Sequence, residues 1–120
     1  MITVVVIDDE RTNRAVLQAA IGSFGYRVEA FGAAQPAVDA LPGLDARLVL
    51  LDWRLPGLSG ARAVQAVRGV CAAPVVILTA YAAPEHQVEI VTAGADGIMT
   101  KPFAFEDLEA LVRRHAGPPQ

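Results

Sequence analysis

Two hydrophobic rhythms alternate along this chain. A β-branched run from Ile2 to Ile7 and apolar runs from Leu48 to Leu51 and Pro74 to Leu78 are bounded by polar or turn residues, and predict strands buried on both faces. Between them, apolar positions recur at helical spacing. Leu17, Ala20, Ile21 and Phe24 share one helical face, ended by Gly25. Ala34, Ala37, Val38 and Leu41 share a second, with Pro36 tolerated in the first turn and Pro42-Gly43 as the break. Gly60, Ala63, Val64 and Val67 form a third face, small enough to lie close to a sheet. Leu108, Leu111 and Val112 mark the last helix. Its acids Glu106, Asp107 and Glu109 come early and Arg113, Arg114 and His115 late, as the helix dipole favours. Arg27 to Phe31 alternates polar and apolar residues and predicts a strand nearer the sheet edge. Asp96 to Thr100 predicts a short final strand. From Ala80 to Ala93 the pattern is ambiguous: Pro84 starts a helix, Gly94 stops it, and Val88 and Val91 offer a narrow apolar stripe. Five β-α units in succession predict an α/β fold, with a parallel sheet, right-handed crossovers and helices on both faces.

Composition narrows the class. With 120 residues, 53% of them hydrophobic, the chain suits one domain with a well-buried interior. That domain is expected over residues 1–116, with Gly117-Pro118-Pro119-Gln120 as a tail or the start of a linker. No apolar run is long enough to span a bilayer, so no membrane partner is expected. The first strand meets charge at Asp8, unlike a secretory signal. The single Cys71 excludes an internal disulfide and a cysteine metal site, and fits a reducing, cytoplasmic setting. A net charge of −3 argues against nucleic-acid binding by this domain.

The strand ends carry the candidate chemistry. The first strand meets Asp8 and Asp9, the third Asp52, the fourth Thr79, and the fifth Thr100 and Lys101. A parallel sheet gathers these ends on one edge, where ligands of open α/β sheets bind. Taken singly, each has a plainer use. Asp9 caps a helix, Asp52 opens a turn before Pro56-Gly57, Thr79 is an ordinary strand residue, and Lys101 is a solvated charge. Taken together they are far more specific. Three crowded carboxylates repel by about 4 kcal/mol per pair at ~4 Å and an effective dielectric near 20. One ammonium cannot neutralise them, whereas a divalent cation can, and an all-oxygen site with room for phosphate suits Mg²⁺. An aspartate beside such a cation, with a lysine and a hydroxyl opposite, can accept a phosphoryl group. The chain has nine arginines and one lysine, and that lysine stands before Pro102, where a cis peptide costs little.

With these residues in view, positions 2 to about 115 resemble the receiver domain of two-component response regulators. The likeness rests on Asp8-Asp9, on Asp52-Trp53-Arg54-Leu55-Pro56-Gly57-Leu58-Ser59-Gly60, on Thr79-Ala80, on Ala93 to Gly97, and on Lys101-Pro102-Phe103. It implies a flavodoxin-like (CheY-like) doubly wound sheet of strand order 2-1-3-4-5. It implies that Asp52 takes a phosphoryl group from a sensor histidine kinase or phosphotransfer protein. Asp9, Asp52 and the backbone carbonyl of Arg54 would hold Mg²⁺, with Asp8 acting through water. Lys101 would pair with the phosphoryl oxygens, and Thr79 would swing toward them. The surface of the fourth helix, fifth strand and fifth helix would then change shape and could pair two copies of the chain. Phosphorylation and dephosphorylation would be self-catalysed, so the domain is a phosphoacceptor rather than an enzyme in the usual sense.

Three departures from that pattern bear on function. Ile98 stands where the family usually has an aromatic ring that moves with the threonine. Ala104 stands where a capping Asp, Ser or Thr is common, an omission worth about 1 kcal/mol. Arg54 and Tyr81 lie two residues beyond Asp52 and Thr79, where their bulk would shield the phosphoryl group from water and prolong its life. The runner-up function is a receiver-like protein-interaction module with impaired or atypical switching, which Ile98 favours. A haloacid-dehalogenase-like phosphatase needs a second Asp where Arg54 stands. A flavodoxin-like cofactor binder would set a phosphate against the acidic Asp8-Asp9-Glu10.

Overall fold

Alternate residues of each strand enter two separate cores. In β1 (Thr3–Ile7) Val4 and Val6 pack with one core, and Val5 and Ile7 with the other. In β3 (Ala46–Asp52) Leu48 and Leu50 separate in the same way from Val49 and Leu51, and in β4 (Val75–Thr79) Val76 and Leu78 separate from Val75 and Ile77. This is the period-2 geometry of a strand applied to sequences whose central positions are all apolar. The structure, a computed structural model, describes residues 1–80 and 83–120.

The remaining elements are α1 (Arg11–Ser23), β2 (Arg27–Phe31), α2 (Ala34–Ala40), a 3₁₀ turn over Leu41–Gly43, α3 (Gly60–Val70), α4 (Pro84–Thr92), β5 (Gly97–Thr100) and α5 (Phe105–Ala116). The five strands pair in parallel in the order β2-β1-β3-β4-β5. The α1 and α5 helices cover one face through Leu17, Ile21, Leu108 and Val112. The α2, α3 and α4 helices cover the other through Ala34, Ala37, Ala63, Val64, Val67 and Ile90. Small side chains on α2 and α3 let those helices lie close to the sheet. The polar-apolar alternation of Arg27 to Phe31 belongs to an edge strand, half-exposed along most of its length. Gly25 and Gly94 end α1 and α4 at φ of +102° and +97°, a region that costs most other residues strain.

The apolar stripe expected on α4 is corrected. Val88 and Val91 are 65% and 64% exposed, and the only buried side chain of this helix is Ile90. The inward line runs through Ala83, His86, Ile90 and Ala93, which are buried or half-buried at helical spacing. A histidine within that line hid it, and the two valines three apart mimicked it on the solvent side. At the start of α5, Ala104 takes the N-cap position and supplies no side-chain cap. Beyond α5, the Tyr26 hydroxyl donates to the Gly117 carbonyl at 2.6 Å.

The lower edge of the sheet is tied by Asp96. Its Oδ2 accepts the Val75 N–H at 2.8 Å and the Arg68 guanidinium, which also donates to the Gly94 carbonyl. One carboxylate thus joins α3, the start of β4 and the approach to β5. Partial burial alone would raise the Asp96 pKa. The Val75 hydrogen bond, the Arg68 hydrogen bond and charge, and the His115 charge outweigh it and hold the group below its ordinary value. A depressed carboxylate stabilises the fold above its unfolded-state pKa, and that contribution is lost as pH falls through the folded value. Asp96→Asn is therefore expected to cost about 1 kcal/mol at pH 7, allowing for solvent screening of a partly exposed pair. The deficit should shrink as pH falls below about 4. Urea unfolding of both proteins across that range checks it.

Candidate functional site

Strand register brings the site together. Val6 pairs with Leu50 and Ile7 with Leu51, so one further step sets Asp8 opposite Asp52 where the two strands leave the sheet. Leu78 pairs with Met99, and two residues on stands Lys101, whose N–H donates to the Thr79 carbonyl at 2.8 Å. Asp8, Asp52 and Lys101 share the period-2 phase of Val6, Leu50 and Met99, on the α1–α5 side of the sheet. The Lys101 ammonium donates to Asp8 Oδ2 at 2.9 Å and to Asp52 Oδ2 at 3.3 Å. The Lys101-Pro102 bond is cis.

Asp9 completes the acidic group. One carboxylate oxygen each from Asp8, Asp9 and Asp52 lie within 4.8 Å of one another. Asp8 is almost fully buried, Asp52 half-buried and Asp9 exposed. The helix-cap reading of Asp9 is corrected, because the N-cap of α1 is Glu10 and no side chain caps that helix. Asp8 does the local work instead: its Oδ1 accepts the Glu10 N–H at 2.9 Å, and its carbonyl accepts Arg14 Nη1 at 2.9 Å. These contacts fix the strand-to-helix corner from which Asp9 projects.

Burial pushes the Asp52 carboxyl up, the Lys101 charge draws it down, and the Asp8 charge raises it again. Hydrogen bonds from the Arg54 N–H and Lys101 lower it further, yet Asp52 remains above its ordinary value. Burial by itself lowers Lys101. The hydrogen bond to Asp8 and the charges of Asp52 and Asp8 outweigh that effect and hold the ammonium above its usual value. The lysine is therefore firmly charged, and the carboxylates still exceed what it can neutralise. Three hard oxygen donors around a surplus of negative charge fit a divalent cation. The adjoining cleft, about 280 Å³, is lined by Asp9, Glu10, Asn13, Asp52, Arg54, Ala80 and Lys101. It is small beside ordinary cofactor pockets of about 300–1,000 Å³.

Not every expected residue lies in this cleft. Arg54 lines it and is exposed, and its N–H donates to Asp52 Oδ1 at 3.4 Å. Thr79 is fully buried one residue before the lining Ala80. Ile98 is half-buried on the other side of the sheet, in the core that contains Ile90. Tyr81 falls outside the described residues. Sequence reasoning passed over Asn13, which stands four residues after Asp9 on the first turn of α1 and lines the cleft. No spacing signal singles it out, because Asp9 precedes α1 and Asn13 lies on it. The cleft adjoins an apolar groove between α1 and the start of α5, where Val16 and Phe105 are exposed.

With this geometry in hand, a family model for the response regulator receiver domain matches residues 4–113. The chain belongs to that family. Among its relatives, the two-component response regulator PhoP of Pseudomonas aeruginosa is 36% identical over 117 residues, covering 93% of this chain and 52% of that protein. The chain spans about half the length, or less, of the curated relatives it matches. The structure of the chemotaxis protein CheY4 of Vibrio cholerae superposes with a TM-score of 0.89 at 27% identity, covering 96% of this receiver and 98% of that chain. The receiver domain of a Pseudomonas aeruginosa sensor histidine kinase, solved with a magnesium ion coordinated in its active-site cleft, gives 0.87 at 28% identity over 96% and 97%.

The charge balance of this receiver makes a prediction without any ligand. In EDTA, Asp52→Asn should raise folding stability by about 1 kcal/mol, because it removes one of three mutually repelling charges and leaves Lys101 its bond to Asp8. Saturating divalent cation should reverse that ranking. Urea unfolding with and without the cation checks both parts.

Proposed function

We propose that this receiver is a phosphoryl-accepting signalling switch, with Asp52 as the acceptor. The observation that carries the reading is the Lys101 ammonium hydrogen-bonded to both Asp8 and Asp52 beside an acidic cleft, in a chain of the receiver family. Asp9, Asp52 and the Arg54 backbone carbonyl would hold Mg²⁺, with Asp8 acting through water; the oxygen donor set supports this. The bound cation supplies neutralisation of charge on the carboxylates and the phosphoryl oxygens.

The donor is a phosphohistidine of a sensor kinase or phosphotransfer protein, and the apolar groove beside Lys101 offers that partner a contact surface. An Asp52 carboxylate oxygen attacks phosphorus, the P–N bond breaks, and the departing imidazole nitrogen takes a proton from solvent. Lys101 pairs with the phosphoryl oxygens as negative charge gathers on them. The acyl phosphate carries more negative charge than the carboxylate it replaces, so the Lys101 ammonium beside Asp52 has to offset the added charge. Water later attacks the phosphorus, releases inorganic phosphate and regenerates Asp52. Thr79, buried at the adjoining strand end, responds to the new group, and the change passes to an output partner or domain. The reaction is self-catalysed and set in the cytoplasm.

A second reading has its own observation. Ile98 packs as an aliphatic residue beside the α4 core, which favours an interaction module with altered switching. Incubation with Mg²⁺ and acetyl phosphate decides between them. The switch predicts one added phosphoryl group by mass on the parent and none on Asp52→Asn. It also predicts a Mg²⁺-dependent change in Trp53 fluorescence with beryllofluoride. An unmodified parent with no spectral change would overturn it. Shielding of the phosphoryl group by Arg54 and Tyr81 is tested separately. Arg54→Asn with Tyr81→Ala should hydrolyse about tenfold faster, roughly 1.4 kcal/mol in the barrier. An unchanged rate of phosphate release would remove the idea.

A further inference from the structure

We infer that Ser59 is a positioning residue for the metal ligand set, aiming the Arg54 carbonyl by fixing the two peptide planes that flank it. The inference rests on the proposed Mg²⁺ site and extends it to a residue outside the ligands. The Ser59 hydroxyl donates to the Trp53 carbonyl at 3.0 Å and accepts the Leu55 N–H at 2.9 Å. Those are the polar groups on either side of Arg54.

Peptide planarity turns these contacts into a constraint on Arg54. The Trp53 carbonyl and the Arg54 N–H belong to one peptide and point in opposite directions. The carbonyl is held by Ser59 and by the Gly60 N–H at 3.1 Å, while the N–H is directed to Asp52 Oδ1. The Leu55 N–H and the Arg54 carbonyl belong to the next peptide and are likewise opposed. Drawing that N–H to Ser59 turns the Arg54 carbonyl away from the serine. One hydroxyl therefore sets both planes.

Two further features belong to the same device. Ser59 occupies the N-cap position of α3, where serine commonly caps the helix, yet it makes no side-chain cap. Its hydrogen bonds go to the loop instead. Gly60 follows at φ +57°, and a Cβ there would lie 3.7 Å from the Trp53 ring, so the buried indole covers the returning chain. Outer-shell partners that orient metal ligands govern affinity, typically by 10- to 100-fold.

The test is Mg²⁺ affinity, measured on the folded protein by calorimetry and by the fluorescence of the single tryptophan. Ser59→Ala should weaken Mg²⁺ binding at least about tenfold. Ser59→Thr, which keeps the hydroxyl, should restore most of it. Ser59→Cys, a weak donor and acceptor of similar volume, should fall between them and decides the matter if the alanine variant does not fold. A purely structural role would lower the melting temperature and leave affinity unchanged. Parent-like Mg²⁺ affinity in the folded alanine or cysteine variant would overturn the role of Ser59 and leave the metal reading intact. A parent protein that binds no Mg²⁺ would overturn both.

Discussion

The ammonium of Lys101 is the constraint on which the upper edge of this molecule depends. Its Nζ donates to both Asp8 and Asp52, and neither carboxylate is fully solvated. A buried or half-buried charge without a partner costs several kcal/mol, so the lysine makes the acidic edge compatible with a folded sheet. It does not make that edge comfortable. The carboxylates still outnumber it, and Asp52 sits above its ordinary pKa because burial and Asp8 outweigh the lysine. A site tuned to be nearly neutral would have no reason to draw in a cation. Here the surplus of charge makes a bound cation favourable.

Holding charges that close requires a rigid frame, and the parallel sheet provides it. Each central strand is buried on both faces, so a one-residue slip would exchange the two cores and move Asp8, Asp52 and Lys101 to the wrong side together. Packing thus enforces the register that sets the carboxylates opposite each other. The opposite end of the sheet uses the same logic with a smaller charge set. Asp96 gathers the Val75 N–H and the Arg68 guanidinium, and its pKa is depressed rather than raised. The two aspartates differ in what surrounds them. Asp96 is paired and satisfied, whereas Asp52 is desolvated and crowded. Charge is satisfied at one end of the sheet and left in surplus at the other.

Much of this could be read from the sequence because strand periodicity and topology are strong signals. Predominantly apolar runs ending in Asp8, Asp52 and Thr79, with a short final strand before Lys101, identify both the strands and the edge where their ends meet. What could not be read depends on side-chain direction. Asp9 and Asp8 are adjacent, and only the corner geometry tells which one serves the backbone and which one projects. On α4, Val88 and Val91 outbid Ile90 in a hydrophobicity count, yet a half-buried His86 marks the inner face. Ser59 occupies a helix-cap position, and its use elsewhere is visible only in the distances to Trp53 and Leu55.

The attachment of α4 bears on how a change at Asp52 could travel. One buried residue, Ile90, holds that helix, whereas α1 and α3 each bury three side chains and α5 four. Few buried contacts mean a low cost for local displacement. Ile98 shares the core of Ile90 and offers it only aliphatic surface. Aliphatic packing is non-directional and has no ring whose rotation would divide it into two states. A displacement reaching α4 through Ile98 is therefore one of backbone position and packed volume. The other rim of the site is held differently, by the directional hydrogen bonds with which Ser59 ties Trp53 and Leu55 around Arg54. In this receiver the loop that follows Asp52 is fixed by directional hydrogen bonds, whereas α4 is held by one buried side chain and is the cheaper element to displace.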